Sequence, residues 1–264
     1  MKSTLDQIED IKKDGYSIDF STVFNYAVEN YKKIALYSGL IILVFSVVAG
    51  AVIMGLAVAF YGVQSLSENF IENFKIENLS YVQQIITAAS IAAVTALFAP
   101  LGAGFLKMAD CADKDETFNV STIFTYYSSP YFLQLFSVAF IIGIVTNGIS
   151  YFTESLGIGY LGTGVSLFIN FFTYFTIPLI IFGNLNAVDA IKSSLVLVSK
   201  NPVTIFLLFI VGFLGSLVGL VGCCIGVIFT VVFNSSVTYS AYFSIFNEEE
   251  QQDSIDSIGR SDLE

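Results

Sequence analysis

The sequence predicts an all-α membrane protein with six transmembrane helices as three hairpins, each preceded by an amphipathic interfacial helix on the cytoplasmic face. Two observations predict this fold class. The 264 residues are 55% hydrophobic and only 12% charged, whereas soluble domains carry about 25% charged residues. The apolar residues also fall in runs of about 20, which is the length that crosses a bilayer as a helix.

The two ends of the chain differ from its middle in composition. Residues 1–17 contain no apolar run and are expected to form a cytoplasmic tail, not a cleaved signal peptide. Residues 18–246 hold the six-helix transmembrane domain. Residues 247–264 are acidic and low in aromatic residues, which is typical of a disordered tail. The net charge of −11 gives no reason to expect a nucleic-acid partner.

Six stretches are long and apolar enough to span the bilayer. They are predicted at Ile34–Gly62, Leu79–Leu106, Tyr131–Phe152, Tyr160–Phe182, Val203–Leu220 and Cys224–Phe246. No charge interrupts the chain from the start of the fifth stretch to the end of the sixth, and together they are about twice as long as a bilayer is thick. A turn must therefore fall inside this run, and we expect it between Gly219 and Gly226, where glycines make a turn cheap.

The basic residues set the orientation. With six spans, only Lys75 of the eleven basic residues falls on the side opposite the termini. Because basic residues concentrate on the cytoplasmic side of membrane proteins, both termini are expected in the cytoplasm. The predicted location is the inner membrane of a bacterial cell, crossed several times.

The chain contains a threefold internal repeat, with copies at about residues 18–106, 118–182 and 186–246. Each copy opens with a short stretch in which apolar residues recur at i, i+3, i+4, i+7, i+8 and i+11, which is one face of a helix. The stretches are Phe20–Tyr31, Val120–Tyr131 and Ala187–Val198, with Ser128 and Ser194 as polar exceptions.

A polar side chain that can cap a helix precedes each stretch: Asp19, Asn119 and Asn186. We expect the three stretches to lie in the membrane interface and to lead into their hairpins. The alternative is that they are cytoplasmic extensions of long spans.

The residue types exclude much catalytic chemistry. The sequence has no histidine, so the commonest general base and the favoured zinc and haem ligand are missing. Cys111, Cys223 and Cys224 do not have metal-binding spacing and are expected to be apolar fillers. We therefore predict no catalytic residues, no metal and no cofactor, and a protein that is not an enzyme.

Uncharged polar residues inside the spans are the candidate ligand-binding residues. Asn147 lies on the third span, Asn170 and Thr173 on the fourth, and Thr230 and Asn234 on the sixth. Facing stripes of this kind are suited to fixing a lipid headgroup or a small polar solute. The alternative is that they form hydrogen bonds between helices, worth about 0.6 kcal/mol each on average.

Four short segments carry a resemblance to a known group: Phe98–Gly104, Ser121–Tyr127, Ser194–Asn201 and Gly222–Gly226. Over residues 18–246 the chain resembles bacterial YciC-like proteins of uncharacterised activity and the membrane domain that precedes some glycerophosphodiester phosphodiesterases. The resemblance implies six spans and no agreed activity. The sequence contains no phosphodiesterase catalytic domain.

Two functions follow as hypotheses. The first is a non-catalytic membrane module that binds membrane lipids, a partner protein or a second copy of itself; the amphipathic stretches and the lack of charge at mid-span favour it. The second is a small-solute transporter or channel with a polar path between spans three, four and six.

Overall fold

The computed structural model describes residues 2–61, 80–128, 130–222 and 225–246, and every regular element among them is a helix. The segment between the first two predicted spans, which carries Lys75, the pair Cys223 and Cys224, and the acidic tail at 247–264 lie outside these residues. The α-helices are α1 (Thr4–Asp14), α2 (Phe20–Tyr61), α3 (Tyr81–Asp113), α4 (Val120–Phe124), α5 (Phe132–Ser155), α6 (Gly159–Phe172), α7 (Thr176–Ile181), α8 (Ala187–Lys200), α9 (Pro202–Leu217), α10 (Ile225–Thr230) and α11 (233–246). Short 3₁₀ turns follow α4 and α9.

Within the part of the chain that the structure describes, five helical stretches are long and apolar enough to cross a membrane. They are Phe20–Ala51, Val82–Asp113, Phe132–Ser155, Gly159–Ile181 and Pro202–Val221. These correspond to the first five predicted spans. The helical, membrane-compatible fold class is confirmed to this extent.

The sixth predicted span differs from the other five. In the described part of the chain it consists of α10 and α11, separated by a turn at residues 231–232. Helix α10 has six residues, and α11 at 233–246 is also shorter than the roughly 20 residues that a helix needs to cross a bilayer. A six-span topology therefore stays a prediction.

The turn between α9 and α10 falls in the predicted glycine-rich segment. A Cβ added to Gly219 would lie 2.1 Å from the Gly226 carbonyl carbon, so the two backbones touch. The Thr230 hydroxyl donates a hydrogen bond to the Ser216 carbonyl oxygen at 2.6 Å across the same turn. Only glycine allows an approach this close.

The packing of the longer helices does not follow three separate hairpins. Helix α3 packs most extensively against α5, not against α2, and α5 also packs along α6. Gly143 allows the first of these contacts, because a Cβ at that position would lie 3.1 Å from the Ala92 Cβ atom. Small residues at such crossings let helix backbones approach closely.

The first seventeen residues form more than a tail. Ser3 and Asp6 form a reciprocal capping box at the start of α1, which satisfies two N–H groups that a helix otherwise leaves free. Ile8 and Ile11 are buried, and α1 packs against α8. The Tyr16 hydroxyl then donates to the Leu197 carbonyl oxygen at 2.8 Å. The segment is thus part of the folded domain.

The three amphipathic stretches do not adopt one common structure. The first is the beginning of the continuous helix α2, which matches the alternative of an extended span. The second and third form α4 and α8, which end before α5 and α9 begin. Prolines explain the difference: Pro130 and Pro202 stand at these two breaks, and no proline follows the first stretch. Proline disfavours helical conformation at the preceding residue.

All three predicted helix caps are confirmed. The Asp19 carboxylate accepts the Thr22 backbone N–H at 2.7 Å, and Asn119 and Asn186 cap α4 and α8 in the same manner. Hydrogen bonds from Thr22 also hold the pKa of Asp19 below its usual range. A carboxylate at this position favours the first turn of a helix.

Ser194, one of the polar exceptions, forms hydrogen bonds with backbone groups at an interruption of the helix in the fourth span. The helix is interrupted between α6 and α7, where Pro178 cannot donate a backbone hydrogen bond. The buried Ser194 hydroxyl donates to the Phe172 carbonyl oxygen at 2.8 Å and accepts the Phe175 N–H at 3.1 Å. A side chain of α8 thus satisfies backbone groups that the break leaves open.

The buried core lies at one end of the helix bundle. It joins α1, the first half of α2, the last part of α3, α4, α7, α8 and α11. Towards the other end, large apolar side chains are exposed, as at Val47, Ile85 and Phe168. Apolar side chains exposed on membrane-length helices fit a lipid environment. The end with the packed core carries Lys107 and Lys114.

Candidate binding site

The candidate residues on the fourth span form hydrogen bonds with backbone carbonyl groups of their own helix. The Asn170 side-chain amide donates to the Ser166 carbonyl oxygen at 2.8 Å, and the Thr173 hydroxyl donates to the Ile169 carbonyl oxygen at 2.8 Å. Asn170 is exposed at the protein surface.

The candidates on the sixth predicted span hold helices together. Thr230 donates to Ser216 across the α9–α10 turn and also accepts the Gly219 N–H at 3.3 Å. Asn234 packs against Gly212, with its Oδ1 atom 2.5 Å from the position that a Cβ on this glycine would occupy. These contacts fit the interpretation as polar links between helices.

The structure does not bring the five candidates together. Asn147 is half-buried on α5. Among the described residues, no hydrogen bond joins two of the five side chains. None of the five lines any of the three cavities described next.

A cleft of about 640 Å³ opens at the end of the bundle where the core is packed. Its walls come from the start of α1, the end of α3, the turn after α7 and the end of α11. Among the described residues that line it, three are lysines, Lys2, Lys107 and Lys114, and one is an acid, Asp110. The cleft is therefore cationic on a protein whose overall charge is strongly negative.

Asp110 holds two of these lysines in place. Its side chain is only 2% exposed, and its two oxygens lie 2.6 Å from the Lys107 ammonium and 2.7 Å from the Lys114 ammonium. The three residues stand at i, i+3 and i+7 at the end of α3, where Lys114 is the C-cap residue, so they share one face of the helix. A buried carboxylate needs such partners, because an unpaired buried charge is strongly destabilising.

A second layer of hydrogen bonds fixes the end of α3 behind the cleft. The Tyr239 hydroxyl of α11 donates to Asp113 at 3.0 Å. The Asn30 amide of α2 donates to the Ala109 carbonyl oxygen at 2.7 Å and accepts the Ser236 hydroxyl at 3.0 Å. Helices α2, α3 and α11 are thus joined by buried polar contacts that set the position of Asp110.

The opposite wall belongs to α1, whose first residues reach the cleft. Lys2 forms an ion pair with Asp10 at 3.3 Å. The Ser3 hydroxyl lowers the pKa of Asp6 by hydrogen bonding to its carboxylate, which keeps this cap charged. Burial raises the pKa of Tyr16, so its phenol stays a neutral donor that ties α1 to α8.

The floor of the cleft is aromatic, with a polar edge. Phe182, Tyr242 and Phe243 pack ring against ring, with centroids 5.1 to 5.7 Å apart. At the edge, Asn184 has a left-handed backbone with φ of 54°, a conformation that asparagine tolerates better than most residues. Its side-chain oxygen accepts the Tyr131 hydroxyl.

Two apolar cavities lie along α2, where it faces α3 and α4. One, of about 360 Å³, is lined by Tyr37, Val44 and Phe124, among others. The other, of about 220 Å³, includes Leu101 and Phe105. The described residues that line them are all uncharged and mostly apolar, so the two cavities suit hydrocarbon better than a polar ligand.

The polar groups that line the cleft are suited to binding an anion. Ammonium groups, amides and hydroxyls are hydrogen-bond donors suited to an anion. Within the described ranges, no cluster of three or more His, Cys, Asp or Glu side chains could hold a metal ion. The arrangement thus supports recognition of a negatively charged group.

Sequence reasoning did not find this site. Lys107 and Lys114 served only to orient the chain, and Asp110 lay beyond the predicted end of the second span. The structure extends α3 to Asp113, which places all three side chains on one helical face. Their i, i+3, i+7 spacing was the available signal.

No family model, curated protein or solved structure matches the chain, so the resemblance to the YciC-like group stays a prediction.

Proposed function

We propose that the protein is a non-catalytic module of the cytoplasmic membrane that binds lipid at its lysine-bearing end. The observation that carries the proposal is the cationic cleft beside the packed core. It lies where the apolar helices end, so a lipid headgroup can enter it while the acyl chains stay in the bilayer.

The proposed topology has six spans, with both termini in the cytoplasm. Residues 225–246 cover 22 positions, about 33 Å at 1.5 Å per residue, which is enough to cross the roughly 30 Å hydrocarbon core. The turn at 231–232 interrupts this segment, as the break between α6 and α7 interrupts the fourth span. The distribution of lysines supports the orientation.

The alternative of a solute transporter has less support. Its proposed path between spans three, four and six relied on Asn147, Asn170 and Asn234. Asn170 bonds to its own helix at the surface, and Asn234 is packed against Gly212.

An acidic segment of a partner protein is a second possible ligand of the cleft, because it is also negatively charged. The aromatic floor of the cleft and its position at the ends of apolar helices favour a lipid.

Native mass spectrometry of the full chain, extracted from its own membranes in mild detergent, tests the proposal. We expect a bound lipid to stay with the folded protein after detergent washing that removes bulk lipid. A folded protein that keeps no lipid under these conditions, at any concentration of added lipid, would overturn the proposal.

A further inference from the structure

We propose that the cleft recognises a phosphate group carried on a membrane lipid, through the paired ammonium groups of Lys107 and Lys114. This inference rests on the proposed function and names the chemical class of its ligand. A phosphate reaches the cleft either on a lipid headgroup or on a soluble ester. The chemistry of recognition is the same for both, and we argue for the lipid.

The charge balance of the cleft favours an anion. Lys107 and Lys114 together carry one more charge than Asp110 neutralises, and Lys2 adds a third ammonium that is shared with Asp10. An ammonium group has three N–H donors, and Asp110 occupies one on each of its two lysines. Further donors therefore remain on both side chains, at 33% and 52% exposure.

Asp110 also prepares the two lysines for binding. A free lysine side chain loses rotamer freedom when it fixes a ligand, and this loss opposes binding. Here the ion pairs to a buried carboxylate already restrict both ammonium groups. Asp110 is in turn fixed by its place on α3, which Asn30 and Tyr239 hold from two other helices.

Neutral donors complete the polar wall. The side-chain oxygen of Asn184 accepts the Tyr131 hydroxyl, and its amide NH₂ group carries two hydrogen-bond donors. The half-buried side chain of Gln7 lies across the cleft, on α1. A phosphate offers several acceptor oxygens and no obligatory donor when ionised, which matches this wall.

The surroundings favour a lipid as the carrier of the phosphate. The floor consists of Phe182, Tyr242, Phe243 and Phe246, and such side chains suit the glycerol backbone and the first carbons of a lipid better than a hydrated solute. The cleft volume lies within the roughly 300–1,000 Å³ of typical ligand pockets. Acidic lipids are also concentrated in the cytoplasmic leaflet next to basic surfaces.

Three short probes separate the possible sources of binding. Dioctanoyl phosphatidic acid carries phosphate and tails, dioctanoylglycerol carries the tails alone, and glycerol 3-phosphate carries the phosphate alone. Each is titrated onto the full chain in detergent and followed by native mass spectrometry. We expect the phosphatidic acid to bind about tenfold or more tightly than either other probe.

Each other result overturns a definite part of the inference. Equal binding of dioctanoylglycerol overturns phosphate recognition and leaves lipid binding in place. Equal binding of glycerol 3-phosphate overturns the lipid as the source and keeps the phosphate site. If no probe binds and no native lipid is retained, the proposed function fails together with the inference.

A matched pair of triple variants locates the site. Lys107→Gln, Asp110→Asn and Lys114→Gln together remove the cluster without leaving an unpaired buried charge. Lys12→Gln, Lys13→Gln and Asp14→Asn make the same chemical changes at exposed positions of α1 outside the cleft. We expect the first triple to weaken phosphatidic acid binding about tenfold or more, and the second by less than about twofold.

The single variant Lys114→Gln covers the case in which the first triple variant does not fold. Its side chain is half exposed, and Asp110 keeps Lys107 as a partner. We expect binding about threefold weaker or more, with an unchanged thermal unfolding midpoint. Unchanged binding in a folded triple variant, or in this single variant, would overturn the assignment of the site.

Discussion

Single side chains in this protein satisfy polar groups that the helices leave open. Asp110 pairs two lysines, Asn30 caps a carbonyl of α3, and Ser194 bridges the break between α6 and α7. The sequence marked Ser194 as an exception on an apolar face but gave no partner for it, because the partner is a distant backbone segment exposed by Pro178. Its hydrogen bonds depend on how α8 packs against the α6–α7 break, and the periodicity of apolar residues does not predict that packing.

Ser194→Ala should lower the free energy of unfolding by about 2 kcal/mol, because it leaves the Phe172 carbonyl and the Phe175 N–H buried without a partner. Ser199→Ala is the control, since this exposed hydroxyl bonds to the Leu195 carbonyl of its own helix; we expect a change within about 0.5 kcal/mol. Unfolding in mixed micelles measures both. Equal effects would show that Ser194 does not bridge the break.

The predicted stripe residues should respond differently to the same substitution. Asn170→Leu replaces an exposed side chain and should change the free energy of unfolding by less than about 0.5 kcal/mol. Asn234→Leu forces a larger, branched side chain against Gly212 and should cost about 1–3 kcal/mol. If Asn170→Leu is the more damaging of the two, the packing described here is incorrect.

At the scale of helices, starts were easier to predict than ends. Asp19, Asn119 and Asn186 were identified as caps because capping is a local interaction. Whether a helix stops or continues depended on Pro130 and Pro202, and the first stretch, which has no such proline, runs on into α2. Helix α1 was not predicted, because its only buried apolar residues, Ile8 and Ile11, are too few to form an apolar run.

The contact between α3 and α4 depends on one glycine. A Cβ added to Gly104 would lie 2.1 Å from the Ile123 carbonyl oxygen, whereas nothing lies within 4 Å of a Cβ added to Gly102. Gly104→Ala should therefore destabilise the protein by about 1–3 kcal/mol. Gly102→Ala should leave it unchanged or up to about 1 kcal/mol more stable, because alanine favours helix. Thermal unfolding of both variants in detergent measures the difference, and similar midpoints would contradict the packing of α4.

At one end of the molecule the apolar side chains are buried in a packed core, and towards the other end they are exposed. The sequence predicted the membrane environment, because composition does not depend on packing. The orientation, which follows from the charge bias alone, stays a prediction. It did not predict that the buried core would gather at the lysine-bearing end, or that this arrangement would form a cleft. That result requires α1, α3, α7 and α11 to meet, which are contacts between residues far apart in the chain.

The orientation leads to a labelling prediction. In a variant lacking the native cysteines, Ser155→Cys at the end of α5 should react with a membrane-impermeant maleimide in intact cells. Lys12→Cys on α1 should react only after the membrane is opened, because the positive-inside rule assigns its side to the cytoplasm. Labelling of both positions from the same side would contradict the proposed topology.

The central claim is that this chain is built for a bilayer. Large apolar side chains such as Val47 and Phe168 are 65% and 63% exposed on membrane-length helices. A soluble monomer rarely exposes so large an apolar surface to water. The most direct measurement is extraction of membranes with alkaline carbonate, followed by detergent. We predict that the protein stays in the membrane pellet and is released only by detergent; a folded, monodisperse protein in detergent-free buffer would contradict the account.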